Sequence, residues 1–179
     1  MSGKPTQHSG TSPNAQMKMS TDARLRMRAT EKVVLRYYND MGKNKGNCTW
    51  GPGILAHRGI CSQDELARKV TLMDVETEFD RRVGEAERYV KQAITKVALN
   101  QAQFDALVSL TYNSGVRNMR GTYDLVNQGD FNAAASNISR MVKVSFVEKG
   151  KKKEVIAPGL IKRREEESAP FRVKADSTK

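Results

Sequence analysis

The sequence predicts an α+β protein, mainly helical, with a small β element near its N-terminus. Three observations carry that reading. The stretch 71–97, "TLMDVETEFDRRVGEAERYVKQAITKV", repeats Leu72, Val75, Phe79, Val83, Ala86, Val90, Ile94 and Val97 at steps of three and four, the period of a long amphipathic helix. By contrast, "MGKNKGNCTWGPG" holds four Gly and one Pro in thirteen residues, which is turn and hairpin chemistry. Downstream of 97, further helical patterns follow one another without a repeat of fixed period. Elements of unlike type in separate stretches are the mark of an α+β arrangement.

Taken in order, the first twenty or so residues are rich in Ser, Gly, Pro, Asn and Gln. They bury little, and a disordered tail is expected over 1–21. "TDARLRMRATEKVVLRYYND" places Leu25, Met27, Val33, Val34, Tyr37 and Tyr38 at mostly helical spacing. The helix begins either at Thr21-Asp22 or near Glu31 with Thr30 as its cap. "SQDELARKV" reads as a short helix capped by Ser62, with Glu65 placed for a capping box. Gly84 inside the long helix costs about 1 kcal/mol against Ala, so a kink or close packing is expected there. "NQAQFDALVSLTYNSGV" forms a more buried helix ended by Gly115. "TYDLVNQGDFNAAASNISRMVKV" forms two short helices parted at Gly129, the second capped by Asp130. "VEKGKKKEVI" is a basic loop or hairpin, and "APGLIKRREEESAPF" is a last helix ending before Pro170. The folded part is expected over 22–172, with a small lobe at about 31–70 and a helical lobe at about 71–172, before a polar tail at 173–179.

Length and composition narrow the function. One domain fits 179 residues. No run of about 18 apolar residues exists, which excludes a membrane-spanning helix of that kind, and the N-terminus lacks the apolar centre of a secretory signal. A net charge of +11 implies attraction to nucleic acid, anionic lipid or the anionic polymers of a bacterial envelope. Cys48 and Cys61 flank twelve residues. A disulfide there would contribute roughly 3 kcal/mol, and free thiols are the alternative, since the compartment is open at this point. With His8 and His57 the only histidines, the cysteines do not form a metal site.

Two carboxylates, Glu31 and Asp40, stand nine positions apart. Taken alone, an acid early in a helix and another in the following turn are structural features. Glycoside hydrolysis, however, needs one carboxyl held protonated and a second ionised across the bond. Burial beside apolar groups raises the pKa of a helix-borne Glu, while a loop-borne Asp stays ionised. "CTWGPG" follows at once, supplying a Thr hydroxyl able to hold a water.

At this point the residues resemble a family. "EKVVLRYYND" and "TWGPG" are similar to the Glu, eight residues, Asp and Thr-x-Gly-x-Gly turn of the phage-type lysozymes, the endolysins of glycoside hydrolase family 24. Glu31, Asp40, Thr49, Gly51 and Gly53 take those places. "NQAQFDALVSLTYNSGV", "LVNQGDFNAAASNISRM" and "PGLIKRREEESAPF" resemble three further family segments, in consistent order over roughly 22–172. Two departures stand out. Thr49 lies nine positions after Asp40 where the family usually has six, and Ile54 follows Gly53 where many members have His, with His57 four positions after Gly53.

The resemblance implies a lysozyme-like fold, with a β-hairpin lobe joined by a long helix to a helical lobe. It also implies hydrolysis of the β-1,4 bond between N-acetylmuramic acid and N-acetylglucosamine in peptidoglycan. Glu31 would be general acid, and Asp40 with Thr49 would activate a water, with inversion and carboxylates roughly 6.5–9.5 Å apart. Asn113 would bind a sugar amide or simply cap its helix. Trp50 would face sugars or pack inward, and Arg163 or Arg164 would pair with Glu31 or lie solvated. His57 is expected to be structural, and "KGKKK" a solvated loop or a contact to envelope phosphates. A Cys48–Cys61 bond formed in the periplasm would pin the hairpin carrying Thr49. No cofactor or metal, no nucleic-acid partner and a monomer are expected. The chain would be made in a host cytoplasm, leave through a holin pore, a contractile secretion system or lysis, and act in the periplasm. The alternatives are a lytic transglycosylase using Glu31 alone and a non-catalytic wall-binding module.

Overall fold

The computed structural model describes residues 12–30, 33–148 and 151–172, apart from the side chains of 145–148 and 151–153. Its elements are α1 (Thr21–Thr30), β1 (Tyr37–Asn39), β2 (Cys48–Trp50), β3 (Ile54–His57), α2 (Gln63–Ala67), α3 (Leu72–Ala93), α4 (Gln101–Ser114), α5 (Val116–Asn127), α6 (Phe131–Ser139), β4 (Lys143–Glu148), β5 (Lys151–Ile156) and α7 (Pro158–Ser168). A 3-10 turn over Ala169–Phe171 follows α7. The architecture is mainly helical with small antiparallel sheets, as expected. Two compact units divide it: Ser20–Glu85, and Ala86 onward together with the residues before Ser20.

In the smaller unit, β1, β2 and β3 form one antiparallel sheet in that order. Tyr37 pairs with Trp50, Tyr38 with Thr49 and Asn39 with Cys48. This corrects the helical reading of 33–39. α1 begins at Thr21, one of the two expected starts, and its described span closes at Thr30. The run after it is rich in β-branched and aromatic side chains, which fit a pleated half-buried surface better than a helix. α1 packs on α3 through Arg24 and Arg28, whose guanidinium carbons sit 5.5 and 5.9 Å from the Phe79 ring centroid. Arg24 also pairs with Asp80, and Arg28 with Glu76. Ser62 and Glu65 form the full capping box at the start of α2.

α3 shows the expected stripe. Val75, Phe79, Val83, Ala86 and Val90 are all buried, whereas Leu72 in the first turn is exposed. Gly84 differs from expectation. The helix runs through it without interruption, the position is exposed, and an added Cβ would meet nothing within 4 Å. No packing demands the glycine.

The larger unit is cored by Phe104, Leu107, Val108 and Leu110 of α4, Met119 and Val126 of α5, Ile138 of α6, and Phe171. Asn100 and Gln103 make a capping box at α4, Gly115 closes it, and Asp130 caps α6. α5 begins at Val116, earlier than the sequence pattern indicates.

The expected tail over 1–21 needs correction for its second half. Asn14 is fully buried. Its Nδ2 donates to the Ile94 and Val97 carbonyls, both at 2.9 Å, and its Oδ1 accepts from the Leu99 N–H at 2.9 Å. One amide thus serves three backbone groups in the α3–α4 connection, where neither helix nor sheet supplies partners, and the Ser12 hydroxyl also donates to the Ile94 carbonyl at 3.0 Å. The rest of the expected tail, 1–11, and the polar tail at 173–179 lie outside the described residues.

Replacing Gly84 by Ala should stabilise the protein by about 1 kcal/mol, the propensity difference at an exposed interior helix position. Urea denaturation of the two proteins checks it, and an unchanged or lower midpoint would show that the glycine has a structural task.

Candidate active site

In the smaller unit the candidate residues gather on the three-stranded sheet. Asp40 follows β1 and Asn47 precedes β2, and the two clasp each other. The Asp40 N–H donates to the Asn47 carbonyl at 3.1 Å, the Asn47 N–H returns a bond to Asp40 Oδ1 at 2.8 Å, and Asn47 Nδ2 donates to Oδ2 at 3.2 Å. Both carboxylate oxygens are thereby oriented, yet an ionised carboxylate accepts about four hydrogen bonds. Exposed as it is, Asp40 keeps acceptor capacity for a water. Its charge reaches Tyr38, whose hydroxyl pKa is raised chiefly by burial and further by Asp40, against a hydrogen bond from the Gly53 backbone.

Gly46 makes the clasp possible. Its φ is +83°, and a Cβ there would stand 2.0 Å from Asp40 Oδ1. Only a residue without a side chain fits that approach.

Thr49 sits on β2 opposite Tyr38, 4% exposed, its Oγ1 donating to the Asn47 carbonyl at 3.4 Å. Cys48, just before it, is disulfide-bonded to Cys61, with Cα atoms 4.5 Å apart. Backbone bonds reinforce that link: Cys48 N–H to the Gly59 carbonyl at 2.7 Å and Cys61 N–H to Asn39 Oδ1 at 2.8 Å. The cysteines and Glu65 bring three potential ligand atoms within 4.8 Å of one another, but sulfurs joined to each other do not ligate a metal. Trp50 is half-buried and stacks on Tyr37 at 6.1 Å between centroids. His57 is exposed. Its pKa is raised by the Arg58 carbonyl and by Glu65, whose Oε1 lies 2.9 Å from Nε2. Glu31 and Lys32 lie outside the described residues, as do Lys149, Gly150 and the side chains of Lys151, Lys152 and Lys153.

The larger unit holds a second group. Arg164 is 2% and Glu167 6% exposed, which corrects the reading of these arginines as solvated. Arg164 Nη1 pairs with Glu167 Oε2, Nε donates to the Met141 carbonyl at 3.0 Å, and Nη2 donates to Asn113 Oδ1 and, at 3.1 Å, to Ser114 Oγ. Arg163 pairs with the other Glu167 oxygen at 3.1 Å and with Ser109 Oγ at 3.2 Å. Asn113 is exposed near the end of α4.

The family model for phage lysozyme matches residues 28–167. The chain belongs to the phage lysozyme family. It is therefore a glycoside hydrolase that cleaves peptidoglycan. Among solved structures it is similar to an endolysin from Escherichia coli O157:H7 phage FAHEc1, at 28% identity over 87% of this chain and 94% of that one, with a TM-score of 0.66. The muramidase domain of SpmX from Asticaccaulis excentricus shares its fold at 22% identity, covering 89% of this chain and 100% of that one, with a TM-score of 0.65. The active form of the P1 phage endolysin Lyz does so at 18%, covering 88% and 86%, with a TM-score of 0.61. No curated protein matches the chain by sequence.

Sequence reasoning about this lysozyme missed Asn47, Gly46 and Glu167. Glu167 was within reach, because an acid three residues after Arg164 and four after Arg163 shares a helix face with both. Asn47 and Gly46 carry no such periodic signal, since a loop contact follows no period.

Gly46→Ala should cost roughly 1–3 kcal/mol and most of the lytic activity, by driving a methyl onto the Asp40 carboxylate. Gly42, φ +98° with nothing within 4 Å of a Cβ, is the control: Gly42→Ala should lose stability while keeping far more activity. Equal activity in the two variants would refute the clasp as an active-site element. Reduction of Cys48–Cys61 should lower stability by about 3 kcal/mol, read as urea midpoints with and without reductant; coincident curves would show that the bond is dispensable.

Proposed function

We propose that this lysozyme hydrolyses the β-1,4 bond between N-acetylmuramic acid and N-acetylglucosamine, with Glu31 as general acid and Asp40, aided by Thr49, activating water. The match of the phage lysozyme family over 28–167 carries the reading, since it spans all three residues. The side-chain chemistry supports it. Asp40 is exposed and held by neutral donors of Asn47, and among the described residues no cation pairs with it, an environment that suits a carboxylate to taking a proton from water. Thr49 is anchored on the next strand through its place beside the disulfide.

The disulfide favours action in an oxidising compartment, and the periplasmic face of the wall is such a place. Among the described residues no helix is long and apolar enough to cross a membrane. The net charge of +11 would draw the enzyme toward anionic envelope polymers. Host-cell lysis and antibacterial attack both use this chemistry.

Glu31→Gln should reduce release of glycan ends from purified peptidoglycan by a factor of about 10²–10⁴, and retained activity would sink the assignment. Mass analysis of wild-type products should show reducing ends. Anhydro ends, together with an active Asp40→Asn variant, would establish a transglycosylase instead.

A further inference from the structure

Four side chains with metal-binding atoms meet at one corner of the smaller unit. Cys48 on β2 stands opposite His57 on β3, Cys61 lies in the chain between β3 and α2, and Glu65 is in the first turn of α2. The two sulfurs and a Glu65 oxygen lie within 4.8 Å of one another, and His57 Nε2 is 2.9 Å from Glu65 Oε1. His57 is held as a metal-binding imidazole is held. With its proton on Nδ1, it donates to the Arg58 carbonyl at 3.0 Å, the outer bond that fixes the ring and leaves the Nε2 lone pair to ligate. Glu65 keeps Oε2 on the Ser62 N–H at 2.7 Å and turns Oε1 to His57. Cys48 and Cys61 are buried and His57 is exposed, so the cluster opens to solvent on its imidazole side.

While the sulfurs are joined they do not ligate, and reduction changes that. Two thiolates, an imidazole and a carboxylate make a four-ligand set of the kind zinc takes. Spacing along the chain hides the set, because the carboxylate and the imidazole join the cysteines only through the fold. We propose that the reduced enzyme binds one Zn²⁺ through Cys48, Cys61, His57 and Glu65, so that metal and disulfide are alternative clamps between β2 and the start of α2. The inference goes beyond the muramidase reading and does not depend on it. The exchange balances. A dithiol reductant gives two electrons and two protons to the Cys48–Cys61 bond and itself closes to a disulfide. Zn²⁺ then displaces the two thiol protons. Reoxidation passes both electrons to a small disulfide, rejoins the sulfurs and frees the ion. In either state the strand that carries Thr49 stays tied to the chain entering α2.

The test titrates Zn²⁺ into the full chain against a chromophoric chelator, before and after reduction with a phosphine that is then removed without air. Reduced wild type should take up one ion per chain, and the oxidised enzyme none. Zn²⁺ should raise the melting temperature of the reduced enzyme and leave that of the oxidised enzyme unchanged. Co²⁺ in place of Zn²⁺ should show a thiolate charge-transfer band and the visible bands of a tetrahedral site. Glu65→Gln keeps the capping box, since Gln serves it as Glu does, and should weaken binding about tenfold or more. His57→Gln, at an exposed position, should weaken it as much, because losing even an outer partner of a ligand costs that factor. Cys48→Ser should abolish the thiolate band; if that variant does not fold, the two Gln variants decide. A reduced wild type that takes up no zinc overturns the proposal, as does equal uptake by the oxidised enzyme. An affinity unchanged in either folded Gln variant overturns the four-ligand site. None of these measurements reads lysis, so failure here leaves the muramidase reading standing, and a failure of that reading leaves these outcomes untouched.

Discussion

A guanidinium buried to 2% exposure dictates much of the larger unit. Removing such a charge from water costs several kcal/mol, and only a paired and fully hydrogen-bonded arrangement offsets it. For Arg164 the acceptors must come from elements that converge on α7. α4 has to end where Asn113 and Ser114 face the guanidinium, and the chain leaving α6 has to offer the Met141 carbonyl. Gly115 closes α4 at that place, its N–H bonded to the Thr111 carbonyl. The pair is better evidence for orientation than for stability, because well-packed apolar residues often replace a buried ion pair without loss. What they do not reproduce is a directed donor beside Asn113.

Side-chain amides repeat this role elsewhere. The C-terminal end of α3 lacks a closing glycine. Asn127 instead accepts from the Thr95 and Lys96 N–H groups at 3.1 Å and donates to the Ala93 carbonyl at 2.7 Å, while Asn14 serves three others, the Ile94 and Val97 carbonyls and the Leu99 N–H. In the smaller unit Asn47 does the same for Asp40. An amide carries donors and acceptors on one rigid group, so it closes irregular backbone where neither sheet nor helix supplies partners.

These amides also mark where the sequence was legible and where it was not. Local and periodic rules found α3, the Ser62–Glu65 and Asp130 caps and the Gly-rich hairpin, because each rests on residues within a turn or two of one another. Residues 33–39 misled, since Val33, Val34, Tyr37 and Tyr38 satisfy a helical spacing while their side chains favour a strand. Pairing with Cys48–Trp50 settled the matter, and pairing is not a local property. Asn14 was hidden for a related reason. Its partners lie some eighty residues away, and a Ser/Asn-rich composition is equally that of a tail. The general place of Asp40 and Thr49 came from residue order, but the Asn47 clasp and the Arg164 network depend on tertiary contacts.

The nine-residue step from Asp40 to Thr49 runs through a hairpin tip, which leaves room for the three residues by which it exceeds the spacing expected from the family resemblance. Asp40 and Asn47 close the base of the hairpin, leaving residues 41–46 as its tip. A tip three residues shorter would be half as long, and doubling a flexible loop costs only about 0.6 kcal/mol. The disulfide contributes about 3 kcal/mol in the same chain-entropy terms, and it anchors the strand that carries Thr49. Register is therefore held from the strand side, by Asn39 opposite Cys48 and by Cys61 bonded to both the Asn39 side chain and Cys48. Tip length is free to vary because it does not determine where Thr49 sits. What the longer tip does require is a residue without a side chain beside the Asp40 carboxylate, and Gly46 meets that requirement.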